Sequence, residues 1–247
     1  MSNEFNVQSQ SHLDRSGNGP NSRYSRVAIV LHWAIAVFIL FNLSLGYFME
    51  GFPMPFRFIV VGLHISAGLT VLTLTVVRVV WRLSHAPPAY PAGMASWEQH
   101  TAHFAHFLLY AAMILMPLTG WAIISSHPRP GSPGAIEQAV RHPMPAMPNA
   151  AGAKGPPGMA GPPKKFTMKI WYILPVPLIT PIEAIGEQPG GLTAQDELHE
   201  KFVNWHGLGG YILIGLLILH VLGALKHQVL DKQPELQRMG IGKRRRV

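Results

Sequence analysis

Cysteine is absent from this chain of 247 residues, and its absence excludes several kinds of site. Without thiols the chain forms no disulfide and offers no thiolate ligand to zinc or to an iron–sulfur cluster. The C-x-x-C-H sequence that attaches haem covalently is excluded for the same reason. Histidine, which occurs thirteen times, is therefore the main candidate for a metal ligand.

Charged residues are also scarce, at 13% of the chain against about 25% in an ordinary soluble domain. Four stretches contain no Asp, Glu, Lys or Arg, and each is long enough to cross a bilayer as a helix. Core helices of a large soluble protein are the alternative, which four such stretches in one short chain disfavour. We predict an all-α integral membrane protein, a bundle of four transmembrane helices. The charge-free stretches are 27–49, 58–77, 101–126 and 202–225. The predicted spans, which extend two of these stretches by a few residues, lie at about 27–49, 58–82, 101–126 and 202–227.

Basic residues outnumber acidic ones, twenty to twelve, which gives a net charge of +8. Twelve of the twenty lie in the stretch through Arg26, at Arg78 and Arg82 near the end of the second predicted span, and from Lys226 onward. Since cytoplasmic loops carry the excess of Lys and Arg, we predict that both termini are cytoplasmic. No nucleic-acid-binding motif accompanies the charge, so the expected partner is membrane lipid and not nucleic acid. The basic end of the chain is interpreted as a contact to anionic lipid or simply as a solvated end.

The segments outside the spans differ in composition. Residues 1–23 are polar and predict a disordered cytoplasmic leader without a cleaved signal, and 239–247 form a basic cytoplasmic tail. Residues 24–238 form the membrane domain, which includes a Pro/Gly-rich periplasmic insertion at 127–165. We interpret this insertion as a flexible linker, with weak copper binding as the alternative. The apolar segment that follows is interrupted by prolines, which favours an interfacial or re-entrant cap.

Two histidines of the fourth span, His206 and His220, lie fourteen residues apart. On a helix this spacing places both imidazoles on one face, roughly 21 Å apart along the axis. An ionisable side chain inside a span is costly and indicates function. With cytoplasmic termini, His32 of the first span matches the depth of His220, and His64 of the second span matches the depth of His206.

Two histidines on facing helices at matched depth suit bis-imidazole ligation of a haem iron. We therefore predict two haem sites, with His32 paired to His220 and His64 paired to His206 as axial ligands. Histidines that only hydrogen-bond between helices are one alternative. A zinc or copper transport path is another, although the spans lack carboxylates. Small residues lie within about one turn of the ligands: Ala36, Ala67, Gly68, Gly209, Gly210 and Gly223. The candidates for binding haem propionates are Arg26, Arg78, Arg82, Arg57 and Lys201.

The third span begins with His103 and His106, one turn apart, just after His100. We interpret them as interfacial residues without a specific role, with a quinone or propionate site as the alternative. The remaining histidines lie in loops, termini or flanks and receive no assignment.

The chain resembles the bacterial cytochrome b561 family, which is also similar to the cytochrome b subunits of nickel–iron hydrogenases. The resemblance spans roughly Arg23 to Arg238 and is carried by RYSRVAIVLHW, GLHISAGL, VVRVVWRL, AHFAHFLLYAAMILMPLTGW and NWHGLGGYILIGLLILH. It implies a protein of the bacterial inner membrane with two non-covalent b-type haems on the four paired histidines. It also implies electron exchange with the quinone pool, ubiquinone being the redox partner. One branch of the family is a superoxide oxidase.

We therefore expect a di-haem b-type cytochrome that transfers electrons between a periplasmic donor and the quinone pool, with superoxide:ubiquinone oxidoreductase as its enzymatic form. The alternative is a membrane subunit that relays electrons for a separate dehydrogenase, hydrogenase or periplasmic cytochrome. The insertion at 127–165 departs from the family pattern at the side where an outer donor would approach, so the donor stays open.

Overall fold

A computed structural model describes residues 23–54, 56–90, 94–129, 132–141, 169–188 and 190–242. The predicted leader before residue 23, the greater part of the Pro/Gly-rich insertion and the basic run at 243–247 lie outside these residues. The structure is mostly helical, and four of its helices are long and apolar enough to cross a membrane. These four, numbered in chain order among all α-helices, are α1 (Arg26–Phe48), α2 (Phe56–Ser84), α3 (Ser96–Ser125) and α6 (Gly191–Leu225).

The all-helical, four-span architecture predicted from the charge-free stretches is therefore confirmed. Helices α3 and α6 begin before the predicted spans. Their first turns are polar, so the prediction did not include them. In α6 these turns carry Asp196, Glu197 and Glu200. The polar turns of a helix lie outside the apolar run that a bilayer requires. The charge-free stretches therefore predict where a span lies, but not where its helix begins.

The shorter elements lie in the third connection and near the C-terminus. Helix α4 (Pro133–Arg141) is followed by a two-stranded antiparallel hairpin, β1 (Lys169–Ile170) and β2 (Leu174–Pro175). Helix α5 (Thr180–Glu183) continues into a 3₁₀ turn, Ala184–Glu187. After α6 come a π-helical turn, Lys226–Leu230, and α7 (Glu235–Arg238).

The chain divides into two compact units, and each of the four long helices contributes a segment to both. The first unit falls within Met1–Leu43, Thr70–Leu115 and Gly210–Val247. The second falls within Ser44–Leu69 and Met116–Gly209.

In the first unit, the segment after α6 folds back on the start of α1. The backbone N–H of Tyr24 donates to the carbonyl of Arg238 (3.2 Å), and the indole Nε1 of Trp33 donates to the carbonyl of Met239 (3.0 Å). The guanidinium of Arg238, only 3% exposed, donates to the carbonyl of Ala89 (2.7 Å) and lies over the Tyr24 ring. The ordered packing thus continues beyond residue 238, where we had placed the end of the membrane domain.

In the second unit, the hairpin packs on α2. Its turn residues Trp171 and Tyr172 both have positive φ (49° and 61°), a strained conformation for bulky side chains. The backbone N–H of Trp171 donates to Ser66 Oγ (2.8 Å), and the Tyr172 hydroxyl donates to the carbonyl of Ile59 (3.0 Å). The interrupted apolar segment therefore contains a hairpin that is hydrogen-bonded to α2, followed by the short helix α5.

Candidate functional site

The first unit brings together His32 of α1 and His220 of α6. Their ring centroids lie 6.1 Å apart, with an interplanar angle of 61°. Both side chains are half-buried. Sequence reasoning predicted this pair from depth alone, and the structure places the two rings side by side.

The second unit brings together His64 of α2 and His206 of α6. Their ring centroids lie 6.0 Å apart, with an interplanar angle of 82°. Each predicted pair therefore falls within one unit, and the two pairs have nearly the same ring separation.

The ring separations fit one metal ion held between two imidazoles. Metal–imidazole bonds are about 2.0–2.1 Å long, and a ring centre lies about 1 Å behind its nitrogen, so two imidazoles on opposite sides of a metal have centres roughly 6 Å apart. The observed values of 6.1 and 6.0 Å match this spacing. Both pairs also meet edge to face, an arrangement that rings adopt without a metal at centroid separations of about 4.5–7 Å. The donor set, neutral nitrogen without sulfur or carboxylate, suits haem iron.

Two glycines give the rings of the second unit their space. A Cβ atom on Gly46 of α1 would lie 3.0 Å from Cε1 of His64, and one on Gly120 of α3 would lie 3.1 Å from Cε1 of His206. Both imidazoles therefore rest against a neighbouring helix that has no side chain at that point. A Cβ atom at either position would require the ring or the helix to shift by a few tenths of an ångström.

Sequence reasoning looked for small residues next to the ligands in their own helices and missed these two glycines. In the described chain, a Cβ atom on Gly223 would meet no atom within 4 Å beyond its own stretch of helix, whereas one on Gly209 would meet the sulfur of Met116. The useful signal was a glycine at the same depth on a different helix, which requires knowing how the helices pack.

A hydrogen bond fixes the orientation of His206. The Thr119 hydroxyl donates to the carbonyl of Met116 (2.8 Å), and its oxygen lies 3.0 Å from Nδ1 of His206. Because the hydroxyl hydrogen is already used, we infer that the oxygen accepts from Nδ1–H. Nε2 then carries the free lone pair. Metal-binding histidines commonly donate their second nitrogen to a protein oxygen in this way.

A sequence profile of prokaryotic cytochrome b561 proteins matches residues 23–242. The chain belongs to the prokaryotic cytochrome b561 family. It is accordingly a multi-pass membrane protein of a family of cytochromes that bind b-type haem. The resemblance stated from the sequence motifs is confirmed.

Three curated relatives share part of this sequence. Cytochrome b561 homolog 1 of Escherichia coli K12 is 24% identical over 108 residues, which cover 42% of this chain and 60% of the relative. The probable superoxide oxidase CybB of Yersinia pestis is 25% identical over 105 residues, 42% of this chain and 59% of the relative. Cytochrome b562 of Cereibacter sphaeroides is 38% identical over 103 residues, 39% of this chain and 63% of the relative. The chain thus spans about three-fifths of the length of these relatives.

In this cytochrome b561 chain a third histidine joins the pair of the first unit. The ring of His106, from α3, lies 5.5 Å from the ring of His220. We had interpreted His106 as an interfacial residue without a specific role, but the structure places it in contact with a predicted ligand. Its neighbour His103 lies instead near Tyr90, whose hydroxyl is 3.4 Å from His103 Nε2.

The basic residues proposed for propionates differ in their surroundings. Arg78 reaches between helices and donates to the carbonyl of Ala28 (2.7 Å) and to the hydroxyl of Tyr110 (3.0 Å). Arg82 and Arg57 are half-buried, whereas Arg26 and Lys201 are exposed.

One further group has the chemistry of a metal site. Carboxylates of Glu98 and Asp231 lie near the imidazole of His227 in the first unit. The ammonium of Lys226 already pairs with both carboxylates, at 2.8 Å from Asp231 and in close contact with Glu98. This pairing holds the pKa of the Asp231 carboxyl below its ordinary value. The lysine supplies the positive charge that a metal would otherwise bring.

Proposed function

We propose that this protein is a di-haem cytochrome b in which His32 and His220 hold one haem and His64 and His206 hold the other. The observation that carries the proposal is the repeated geometry: two imidazole pairs, in separate units, with ring separations of 6.1 and 6.0 Å. Family membership supports haem of the b type, and the two pairs support a count of two.

The residues of each site favour electron transfer over ligand exchange. When bound, haem supplies reversible one-electron chemistry. Two imidazoles at each site would hold the iron and would leave it no position for oxygen or another substrate. In the second unit, Thr119 and Gly120 restrict the movement of His206.

We further propose that electrons pass between a donor on the periplasmic side and ubiquinone in the bacterial inner membrane. The distribution of Lys and Arg supports cytoplasmic termini, which would place His64 and His206 toward the periplasm. The positions of the histidines within their spans show which pair lies toward the periplasm only once the orientation of the spans is known. A fusion of alkaline phosphatase to the C-terminus, expected to be inactive, tests it.

A superoxide oxidase is the specific enzymatic form that one comparison favours. The similarity to the probable superoxide oxidase CybB of Yersinia pestis supports it, at 25% identity. Half-buried Arg57 and exposed Lys201, both in the second unit, are positive charges that could draw superoxide toward that unit. Rapid mixing with superoxide should reduce the haem faster than mixing with a neutral donor of similar potential. Equal rates would leave the alternative, a membrane subunit that serves a separate dehydrogenase, hydrogenase or periplasmic cytochrome.

Single histidine replacements test the pairing. His64→Ala and His206→Ala should each remove the same haem and leave one per chain, while His32→Ala and His220→Ala remove the other. His103→Ala, which changes a histidine outside both pairs, is the matched control and should keep two. Haem per chain, measured as the pyridine haemochrome, reads the outcome. Variants of one pair that retain different haems would contradict the assignment.

A further inference from the structure

A third pair of histidines lies in the second unit, apart from the four proposed haem ligands. His127 follows the end of α3, and His199 lies in the third turn of α6. Their ring centroids are 4.9 Å apart, with an interplanar angle of 88°. His199 is half-buried and His127 is exposed, so the pair is open to solvent. We had assigned neither residue a role from the sequence.

A buried hydroxyl fixes the tautomer of His199. The Ser126 hydroxyl donates to the carbonyl of Ile123 (2.8 Å), and its oxygen lies 2.9 Å from Nδ1 of His199. Because the hydroxyl hydrogen is already used, the oxygen is left to accept from Nδ1–H, and Nε2 then carries the free lone pair. Ser126 is only 4% exposed, so water does not compete for this bond.

The same arrangement occurs twice where α3 and the residue after it meet α6. The oxygen of Thr119 bonds Nδ1 of His206. Seven residues later in the chain than Thr119, Ser126 bonds Nδ1 of His199, which lies seven residues before His206. Seven residues are about two helical turns, or roughly 10 Å. A hydrogen bond of this kind at one nitrogen prepares the other nitrogen of a histidine to bind a metal.

The separation of the His127 and His199 rings fits a metal held at a tetrahedral angle. With metal–nitrogen bonds of about 2.0–2.1 Å and ring centres about 1 Å behind the nitrogens, two imidazoles at this angle have centres roughly 5 Å apart. The observed separation of 4.9 Å matches this value. Rings without a metal also meet edge to face at about 4.5–7 Å, so the separation permits a metal but does not by itself require one.

The charges along the chain near this pair do not oppose a cation. Asp196 lies three residues before His199, so the two side chains are neighbours on the surface of α6. Lys201 lies two residues after His199 and therefore leaves a different face of the helix. Arg129, two residues after His127, already pairs with the carboxylates of two glutamates, at 3.0 and 3.1 Å.

We propose that His127 and His199 bind a divalent transition-metal ion, with zinc as the best fit. Imidazole is a preferred ligand of zinc, and zinc usually takes four donors in a tetrahedral arrangement. The two imidazoles supply two donors, and water completes the set. The bound ion joins the end of α3 to the beginning of α6, two helical turns from His206. This site is separate from the proposed haem sites and does not depend on haem.

The test is a titration of the purified full-length protein with zinc chloride, in which a fluorescent indicator reports free zinc. The chain has no cysteine, so thiols do not contribute to the binding. We expect His127→Ala and His199→Ala each to weaken the tightest zinc site at least ten-fold. Ser126→Ala keeps both imidazoles but removes the oxygen that orients one of them, so it should weaken this site about 10–100-fold.

Two control variants remove histidines that belong to other candidate metal sites. His227→Ala changes the group that contains Glu98 and Asp231, and His142→Ala changes the Pro/Gly-rich insertion. Both variants should keep the wild-type affinity of the tightest site. If the affinity falls in a control variant and stays unchanged in His127→Ala and His199→Ala, the assignment is wrong.

A second measurement uses the wild-type protein and does not depend on how well any variant folds. X-ray absorption at the zinc edge, recorded with one zinc per chain, should show four nitrogen or oxygen donors, two of them from imidazole. A spectrum without imidazole, or a wild-type protein that binds no zinc in the titration, would refute the inference.

Discussion

Gly46 and Gly120 provide the sharpest steric test of the second site. Replacing either with alanine places a Cβ 3.0 or 3.1 Å from Cε1 of a ligand imidazole, where ordinary contact begins at 3.4 Å. The ring must therefore move by a few tenths of an ångström, or the helices must separate. We expect Gly46→Ala and Gly120→Ala to weaken haem binding in the second unit and to spare the first.

Two opposing free-energy contributions determine how much each alanine replacement weakens haem binding. Alanine is a better helix former than glycine by about 0.5–1 kcal/mol, which alone would stabilise the protein. Overpacking of a well-filled site costs about 1–3 kcal/mol. Since imidazole is a rigid ring aimed at a metal, we expect the overpacking term to win by about 1–2 kcal/mol, which corresponds to roughly ten-fold weaker haem retention.

The chain offers matched controls for this comparison. Gly207 directly follows a ligand and Gly215 lies further along the same helix; both are exposed, and in the described chain neither has an atom within 4 Å of an added Cβ. Gly207→Ala and Gly215→Ala should keep both haems and wild-type haem retention. The assay is the transfer of haem to apomyoglobin, followed by absorbance. Equal haem loss in the test and control variants, or none in any of them, would refute the steric reasoning.

The remaining predictions concern single side chains. Thr119→Val leaves Nδ1–H of His206 without its acceptor, so haem affinity of the second site should fall about 10–100-fold, and Thr119→Ser should restore it in the same transfer assay. Arg238→Ala removes a buried guanidinium that joins three segments and should lower the free energy of unfolding by about 3 kcal/mol, whereas Arg141→Ala, on an exposed side chain, should change it little. Lys226, followed by His227, lowers the pKa of the Asp231 carboxyl from its ordinary 3.8. This contribution is complete above that pH and is lost as the pH falls through the lowered value, so Asp231→Asn should reduce Tm at neutral pH and match the wild type in strong acid. An unchanged Tm at neutral pH in Asp231→Asn, or an unchanged free energy of unfolding in Arg238→Ala, would contradict the stabilising role of these contacts.

The four spans and the two histidine pairs could be predicted from the sequence because a bilayer places few, simple requirements on a helix that crosses it. A bilayer forces charge-free runs of a fixed length, and the same runs fix the depth of each histidine. Depth alone was enough to select His32 with His220 and His64 with His206, and the structure places those rings together. The role of these rings as haem ligands stays a prediction.

Packing between helices was not accessible in the same way. Nothing in the sequence around His206 indicates that Thr119 would bond it or that Gly120 would lie against its ring. His106 looked interfacial because it begins an apolar run, yet the rotation of α3 directs it toward His220. Helical rotation and crossing angle depend on many contacts at once, and a single sequence shows them only when a motif fixes them.

The fold-back of the C-terminal segment was missed for a similar reason. Its residues are polar and basic, which favours a solvated tail. Arg238 instead becomes buried because the Glu235 carboxylate, two backbone carbonyls and the Tyr24 ring replace water around its guanidinium. Such a site is assembled from three separate segments, so no local pattern predicts it.

Haem content with ligand state is the most direct test of the central claim. The purified protein should contain two b-type haems per chain, and the oxidised protein should give low-temperature electron paramagnetic resonance signals of two low-spin centres, each with two imidazole ligands. His206→Ala should remove one signal and one haem together. A single haem, a high-spin centre in the wild-type protein, or the loss of both signals in that variant would contradict the account of two independent bis-histidine sites.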